Sequence, residues 1–372
     1  MKINKITGKD CKATRPLWQE VFYEDSVKFT DYYFRHKADK NIGYVIGQEP
    51  YDAMMFRTPY KLQIGEQQQN ISYIVGVATR KECRHRGYMR ELLMHSLEEM
   101  YQEKEPFAFL MPANPAIYEP FDFRYVYERD VWKLKDGTEI EKYLAAKTEG
   151  KEEYREADRY ELRAAQLEDD DNDRSRNIRN GLHGVSKLQE QFPDFPIMDM
   201  LAEFANGYLQ EHYNIYVHRD EEYYAMQLEE SKAQNGDIYV LFEQGEIKAF
   251  FLYAKEGDEV FLQEVIEAEE GKLDFLQKEE KKKPIIMARI IHLEEMLKLV
   301  CSKEPKTVII KVEDHLVLEN TGTFKVEMMP EGSKVMRMHL KENEQEEISE
   351  ISMHISDVTV WGLNKAFINE IV

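Results

Sequence analysis

Residues 71–111 carry the pattern that most constrains what this chain can fold into. Ile71-Ser72-Tyr73-Ile74-Val75-Gly76-Val77-Ala78 is the most apolar run in the first third and reads as a mostly buried strand. A basic turn with a single glycine follows, Arg84-His85-Arg86-Gly87. After it, Met89, Leu92, Leu93, Ser96, Leu97, Met100 and Tyr101 fall on one face of a helix, with Glu91, Glu98, Glu99 and Lys104 opposite. Pro106 ends that helix, and Phe107-Ala108-Phe109-Leu110-Met111 is a second short buried strand, stopped by Pro112. Strand, glycine turn, helix and strand make a β-α-β unit.

The turn is also the most specific chemical signal. A helix that starts just after Gly87 presents unpaired N–H groups and the positive end of its dipole, which suit a pyrophosphate. Gly87 lets the backbone approach phosphates with no Cβ in the way. Arg84, Arg86 and Arg90 add positive charge. A Gly-x-Gly-x-x-Gly nicotinamide fingerprint and a Gly-Lys-Ser/Thr phosphate loop are both absent from this stretch. From the residues alone, a basic turn of this kind is more often an ordinary helix cap.

Around this unit the chain divides by composition. Residues 15–38 hold Leu17, Trp18, Val21, Phe22, Val27, Phe29, Tyr32, Tyr33 and Phe34 at helical spacing, which predicts two short helices broken near Asp25-Ser26. Strands are expected at 42–47, 53–58 and 61–64. Residues 144–177 shift to Glu, Asp, Lys and Arg, including Glu168-Asp169-Asp170-Asp171, and read as a solvated linker or helix face rather than as an acidic metal cluster. Strand patterns return at 238–242, 247–253 and 260–265, separated by turn-like Glu243-Gln244-Gly245-Glu246 and Lys255-Glu256-Gly257-Asp258. A charged run, 278–283, and Pro284 mark a further boundary. Beyond it an amphipathic helix is expected at 287–297, then strands at 308–312 and 324–328. The apolar terminal stretch 358–372, with Trp361, Leu363, Phe367, Ile368 and Val372, is expected to be docked.

Charge limits the partners. With 71 acidic against 50 basic residues the formal charge is -21. Such an excess repels nucleic acid and anionic lipid and attracts cationic small molecules or basic peptides, although solubility alone also explains it. Cys11, Cys83 and Cys301 are too few and too scattered for a disulfide framework or a zinc site, which points to a reducing, cytoplasmic setting. No apolar window approaches 18 residues, so no membrane span is expected. His292 with Glu294 and Glu295 lacks His-Glu-x-x-His spacing, and no metal site is expected. Cys83 beside three arginines invites a nucleophile reading that no His or Asp motif supports.

Arg84-x-x-Gly87-x-Met89 resembles the Arg/Gln-x-x-Gly-x-Gly/Ala motif of the GNAT superfamily of N-acetyltransferases, with Met89 where the motif is usually small. With Ile117-Tyr118-Glu119-Pro120-Phe121-Asp122-Phe123 downstream, the string looks like the enhanced intracellular survival (Eis) branch. The Tyr-x-x-Phe-Gly-Phe/Tyr segment of that branch matches Tyr118 and Phe121, and Asp122 replaces the glycine. The resemblance implies an α/β (α+β) chain in three parts. Residues 1–145 would be a GNAT domain with a mixed, mostly antiparallel sheet flanked by helices. Residues 146–284 would be a second GNAT-like region, and 285–372 a sterol-carrier-protein-like α+β domain.

It also implies acetyl-CoA as cofactor, with coenzyme A as product. Val77, Ala78 and Thr79 would line the acetyl-pantetheine arm through their backbone. Arg84, His85, Arg86, Gly87, Tyr88, Met89 and Arg90 would hold the phosphates, and Ala113 and Asn114 would sit beside the arm. The acceptor would be an amine on an aminoglycoside, a polyamine or a lysine side chain. The protein would be a homo-oligomer, as is typical of Eis-like proteins, which are often hexamers.

The implied chemistry needs two proton transfers. An amine of reference pKa about 10.4 is scarcely neutral near pH 7.4, a deficit of about 4 kcal/mol that a base or a desolvating site must meet. The departing thiolate, reference pKa about 8.5, needs a proton. By resemblance Tyr118 donates that proton, and the C-terminal carboxylate of Val372 acts as base. A docked terminus would hold the geometry, and burial or a water relay would have to strengthen a carboxylate of reference pKa near 3.5. Each residue has a plainer alternative: Tyr118 as core packing, Val372 as a buried end. Trp18, Phe22 and Phe29 are mostly helix core, with one or two able to face an acceptor cation. The rival to the enzyme is a binding protein that holds acyl-CoA or lipid without turnover.

Overall fold

The structure is a computed structural model and describes residues 2–135, 144, 181–256, 259–338 and 350–369. The acidic stretch 145–177 and Val372 lie outside the described residues. The chain divides into two compact units: Met1–Arg129 with His212–His218 and Pro284–Val372, and Asp130–Glu211 with Arg219–Lys283.

The first unit opens with β1 (Ile3–Thr7), α1 (Arg15–Val21), α2 (Val27–His36) and β2 (Ile42–Ile46). The helices part where the sequence predicts: Ser26 caps α2 by accepting from the Phe29 N–H at 3.1 Å. Next come β3 (Ala53–Ile64), β4 (Gln67–Thr79), α3 (Tyr88–Gln102), β5 (Phe107–Leu110) and β6 (Arg124–Arg129). Pro59 does not split β3 into the two strands expected from the sequence. On one side β3 pairs with β4 throughout. On the other, β2 covers it only up to Arg57, so Pro59 falls where a missing N–H breaks no second ladder.

The second unit holds β7 (Trp132–Leu134), β8 (Gly181–Gly184), α4 (Val185–Gln191) and α5 (Ile197–His212). The chain then passes through β9 (Ile215–Val217), a strand of the first unit, and returns with α6 (Glu221–Ala233). It closes with β10 (Asp237–Glu243), β11 (Glu246–Glu256), β12 (Glu259–Glu267) and β13 (Leu276–Lys278). Strands β12-β11-β10-β8 form an antiparallel sheet whose buried side includes Leu182, Ala249 and Phe251, packed with Leu144, Leu273 and Leu276.

The last ninety residues return to the first unit. They comprise β14 (Lys283–Ile290), α7 (Leu293–Leu299), β15 (Lys306–Glu313), β16 (Gly322–Met329), β17 (Gly332–Met338), β18 (Glu350–His354), α8 (Ile355–Gly362) and β19 (Ala366–Phe367). The expected helix at 287–297 is instead a strand followed by a short helix. Residues 285–291 are all buried, so the apolar run has no periodic face by which to tell strand from helix. Strand β14 pairs antiparallel with β5, and the main sheet runs β1-β2-β3-β4-β5-β14-β6, with β9 on β3 and β19 on β9. Strands β17-β16-β15-β18 form a separate sheet in the same unit, and β18 runs parallel to β15.

The main sheet is therefore incomplete without residue 284 onward: β5 has β14 as its antiparallel neighbour, and β6 is reached through it. A fragment of residues 1–135 leaves that edge of β5 bare and exposes apolar Phe107–Leu110, which invites aggregation. It is expected to show no cooperative melt by circular dichroism, while the full chain does. Cooperative melting of the fragment above about 45 °C, as an ordinary domain shows, would contradict this topology.

Candidate functional site

The site begins where β4 stops behaving as a regular strand. Its register with β3 passes from Phe56↔Val75 to Met54↔Ala78, so Gly76 and Val77 oppose Met55 alone. This bulge places Gly76 at φ +62, and a Cβ there would lie 2.8 Å from Trp18 Cζ3 and 2.9 Å from Phe56 Cδ2. Only glycine meets both the conformation and the space. On its other side, β4 pairs in parallel with β5 only at Ser72↔Ala108 and Tyr73↔Phe109, yet continues to Thr79. The two strands thus part, leaving main-chain groups of Val77, Ala78 and Thr79 outside the β4–β5 ladder. Ala78 is buried, and Val77 and Thr79 are half-buried.

Below the opening, a polar group of the core holds the paired ends of the strands. Arg57 donates to Ser72 Oγ at 3.1 Å, Tyr44 Oη at 3.1 Å, Glu103 at 2.6 Å and Glu105 at 2.8 Å. Glu105, just before β5, also accepts from the Ser72 N–H on β4. The splay therefore starts from a fixed hinge.

Past Thr79 the chain makes one 3-10 turn, Lys81–Cys83, and Arg84 Nε donates back to the Thr79 carbonyl at 3.2 Å. His85 at φ +61 and Gly87 at φ +81 adopt left-handed conformations. Such residues turn successive N–H groups toward one side, the geometry of an anion nest. No side chain caps α3, and its first internal bond, from Glu91 N–H to the Gly87 carbonyl at 3.0 Å, leaves the opening N–H groups directed outward. A Cβ on Gly87 would meet nothing within 4 Å. Arg84, His85, Arg86 and Arg90 are exposed, while Tyr88 and Met89 pack against the core cluster that contains Leu92, Leu93 and Tyr118. Met89 thus has a packing partner where the motif is usually small. Cys83 is buried, and burial together with the Asp52 carboxylate pushes its thiol up, away from the nucleophilic thiolate.

Tyr118 sits in a pair of tight turns. Asn114 Oδ1 accepts from the Ala116 N–H at 3.1 Å and so caps Pro115–Ile117, with Ala113 and Asn114 both exposed. Tyr118 follows, then the turn Glu119–Phe121 closed by Asp122 at φ +63. That left-handed residue explains why glycine suits the position and why Asp serves: short polar side chains are among the few that tolerate it. Tyr118 is 8 % exposed, its ring edge-on to Phe123 at 6.1 Å. Its hydroxyl makes no hydrogen bond among the described residues, and burial alone pushes the phenol up to about 12. The group stays protonated across the physiological range and is able to donate. Arg90, in the first turn of α3, lies over the Phe121 ring at 5.4 Å and joins the phosphate-type turn to the Tyr118 segment.

The remaining candidates divide. Trp18 and Phe29 are core: Trp18 stacks on Tyr33 at 4.3 Å, donates to Asp25 at 2.8 Å and covers the bulge at Gly76. Phe22 is half-buried beside Trp18, at 4.8 Å. Val372 is not described. The chain leading toward it is held in the first unit: β19 pairs in parallel with β9, Ile368 is fully buried, and Phe367 meets Tyr127 of β6 at 5.3 Å. Among the described residues no cluster of His, Cys, Asp or Glu could hold a metal ion, and no helix is long and apolar enough to cross a membrane. A cavity of about 290 Å³ lies in the first unit, lined by Met296, Leu299, Val300, Met328 and Trp361 but also Lys306 and Asn214. Its size is near the lower limit for small-molecule sites. Two determinants escaped the sequence reading, Gly76 and the conformation of Asp122. An isolated glycine within an otherwise apolar strand was the available signal for the first.

A bulged β4 that parts from β5, followed by an uncapped helix behind a basic glycine turn, lies within a mixed sheet flanked by helices, the GNAT fold. Residues 2–126 match the acetyltransferase (GNAT) domain family, and the chain is an acyltransferase carrying that domain. Several solved structures share the fold over nearly the whole chain. A probable N-acyltransferase of Enterococcus faecalis is 13% identical, with TM-score 0.67 over 96% of this chain and 88% of that one. A GCN5-related N-acetyltransferase of Anabaena variabilis is 13% identical, with TM-score 0.63 over 96% and 89%. Eis1 of Mycobacterium abscessus is 11% identical, with TM-score 0.62 over 98% and 90%. No curated protein sequence matches.

The two glycines separate structure from access. Gly76→Ala combines steric overlap with a left-handed backbone and is expected to cost roughly 2–4 kcal/mol. Gly87→Ala meets open space and should cost only about 1–2 kcal/mol for the backbone conformation. Urea unfolding of the two variants checks the order, and equal losses would contradict the bulge geometry.

Proposed function

We propose that the chain transfers the acetyl group of acetyl-CoA to an amine by direct attack. The observation that carries this reading is the uncapped start of α3 immediately after the splayed end of β4. The turn from Arg84 to Arg90 takes the diphosphate on its N–H groups and arginines. The pantetheine arm then runs along Val77, Ala78 and Thr79 between the parted strands, past Ala113 and Asn114. The thioester lies near Tyr118.

In the reaction the amine lone pair attacks the thioester carbonyl carbon, and the C–S bond breaks. The sulfur takes a proton from Tyr118 Oη. Burial that raises the phenol also disfavours a bare thiolate in the same apolar surroundings, which preserves the driving force for that transfer. The amine proton goes to a base, assigned by resemblance to the Eis branch to the C-terminal carboxylate of Val372. In this reading residues 285–372 correspond to the sterol-carrier-like part of that branch, and the protein works as a cytoplasmic homo-oligomer. An amine of the aminoglycoside, polyamine or lysine type suits the formal charge of -21, which draws cations toward the protein. Of Trp18, Phe22 and Phe29, only Phe22 is half-buried rather than buried, which leaves its ring able to meet such a cation.

The test is thiol release from acetyl-CoA with a panel of amines. At least one amine is expected to give turnover, and Tyr118→Phe is expected to lower kcat by about 100-fold with acetyl-CoA affinity retained. Coenzyme binding with no thiol release from any amine would favour the binding protein instead. The pH profile gives a further check. Because the Tyr118 phenol is raised to about 12, kcat should show no loss between pH 8 and 10 that Tyr118→Phe abolishes. A descending limb near pH 10 that vanishes in the variant would contradict the buried acid.

A further inference from the structure

The first unit contains a buried ionic node that the acetyl-transfer chemistry above does not use. Arg289, on β14, is fully buried, and Asp314 is 1 % exposed. Arg289 Nη2 donates to both Asp314 carboxylate oxygens, at 2.8 and 3.0 Å, and Nη1 donates to the Ile290 carbonyl at 2.7 Å. The third guanidinium nitrogen, Nε, donates to the Phe121 carbonyl at 2.9 Å. That carbonyl belongs to the turn that follows Tyr118, and the Phe121 N–H donates to the Tyr118 carbonyl at 2.9 Å.

Asp314 is itself fixed. It accepts from the N–H groups of Leu316 and Val317, each at 3.0 Å, and from Asn320 Nδ2 at 2.9 Å. Asn320 in turn donates to the Ile291 carbonyl at 2.9 Å and accepts from the Leu293 N–H at 2.9 Å. The guanidinium is thereby held rigidly by residues 290–320 and spends one donor on the Tyr118 turn. A polar group costs most when buried without partners, so stability alone would favour an apolar pair here as readily as an ionic one. What the ionic node adds is a fixed direction: one N–H aimed at one carbonyl.

We propose that Arg289 is a positioning residue for Tyr118, through which the C-terminal part of the chain sets the place of the proton donor. The inference rests on the acid role of Tyr118 given above. Arg289 holds the Phe121 carbonyl from the sheet side, and Arg90 holds the Phe121 ring from α3. Between them the turn has little freedom to swing the phenol away from the thioester. Misplacement of a catalytic group by about 1 Å can cost on the order of 100-fold in rate.

Arg289→Lys separates the two tasks. A lysine keeps the positive charge beside Asp314 but is a single point donor with no Nε–H fork, so the bond to Phe121 is lost. The variant is made in the wild-type and Tyr118→Phe backgrounds, and kcat and KM for acetyl-CoA are measured with an amine that the wild type acetylates. The expected result is a fall in kcat of about 10-fold or more in the wild-type background, with KM within about 2-fold, and little further loss on top of Tyr118→Phe. An unchanged kcat, or the same fold-loss in both backgrounds, would overturn the positioning role. Should Tyr118→Phe alone leave kcat intact, the acid assignment itself fails, which is a separate outcome. Where Arg289→Lys does not fold, Asp314→Asn is measured in the same two backgrounds. It loosens the guanidinium while keeping an oxygen for Leu316 and Val317, and the same non-additive loss is expected.

Discussion

Much in the N-terminal part of this molecule depends on one constraint, the parting of β4 from β5 after Tyr73. Up to that point the Arg57 group with Glu105 and Ser72 ties the strands together. Beyond it the bulge at Gly76 turns β4 and spreads the sheet. A wedge opened in this way frees main-chain groups without leaving a ragged edge, because the far side of β5 is closed by β14. The helix that follows then needs no side-chain cap if an anion takes that place. In the proposed reading, bulge, splay and uncapped helix together form one coenzyme site.

The β-α-β unit was legible because its signals are local. Leu92, Leu93, Leu97 and Met100 recur at helical spacing and are buried, and Pro106 ends the pattern. The break at Ser26 was equally plain, since a capping side chain acts within three residues. The helix expected at 287–297 failed for a physical reason. With residues 285–291 buried on all sides, strand and helix leave the same apolar run, and only the distant partner Phe107–Leu110 decides between them. The helices α4, α5 and α6 carry weaker sequence signals, although α6 has a local one in its cap, Asp220 accepting from the Tyr223 N–H at 2.8 Å.

The candidate site was legible in part for the same reason. The turn Arg84–Gly87 and the Tyr118 segment are contiguous motifs. Gly76 was hidden inside a strand that reads correctly without it. Asp122 looked like a departure until its left-handed backbone gave it the same role as a glycine. Arg289 could not be read at all, because its partners Phe121 and Asp314 are 168 and 25 residues away along the chain. Buried polar groups of this kind are chosen by the assembled core, not by neighbours in sequence.

In the proposed reaction, main-chain donors opening α3 receive a diphosphate and place the thioester beside Tyr118. A crystal structure of the protein with acetyl-CoA tests it most directly. Diphosphate oxygens about 3 Å from the N–H groups of residues 85–90, with the sulfur within about 3.5 Å of Tyr118 Oη, are the expected result. A coenzyme bound elsewhere, with that turn empty, would contradict the account.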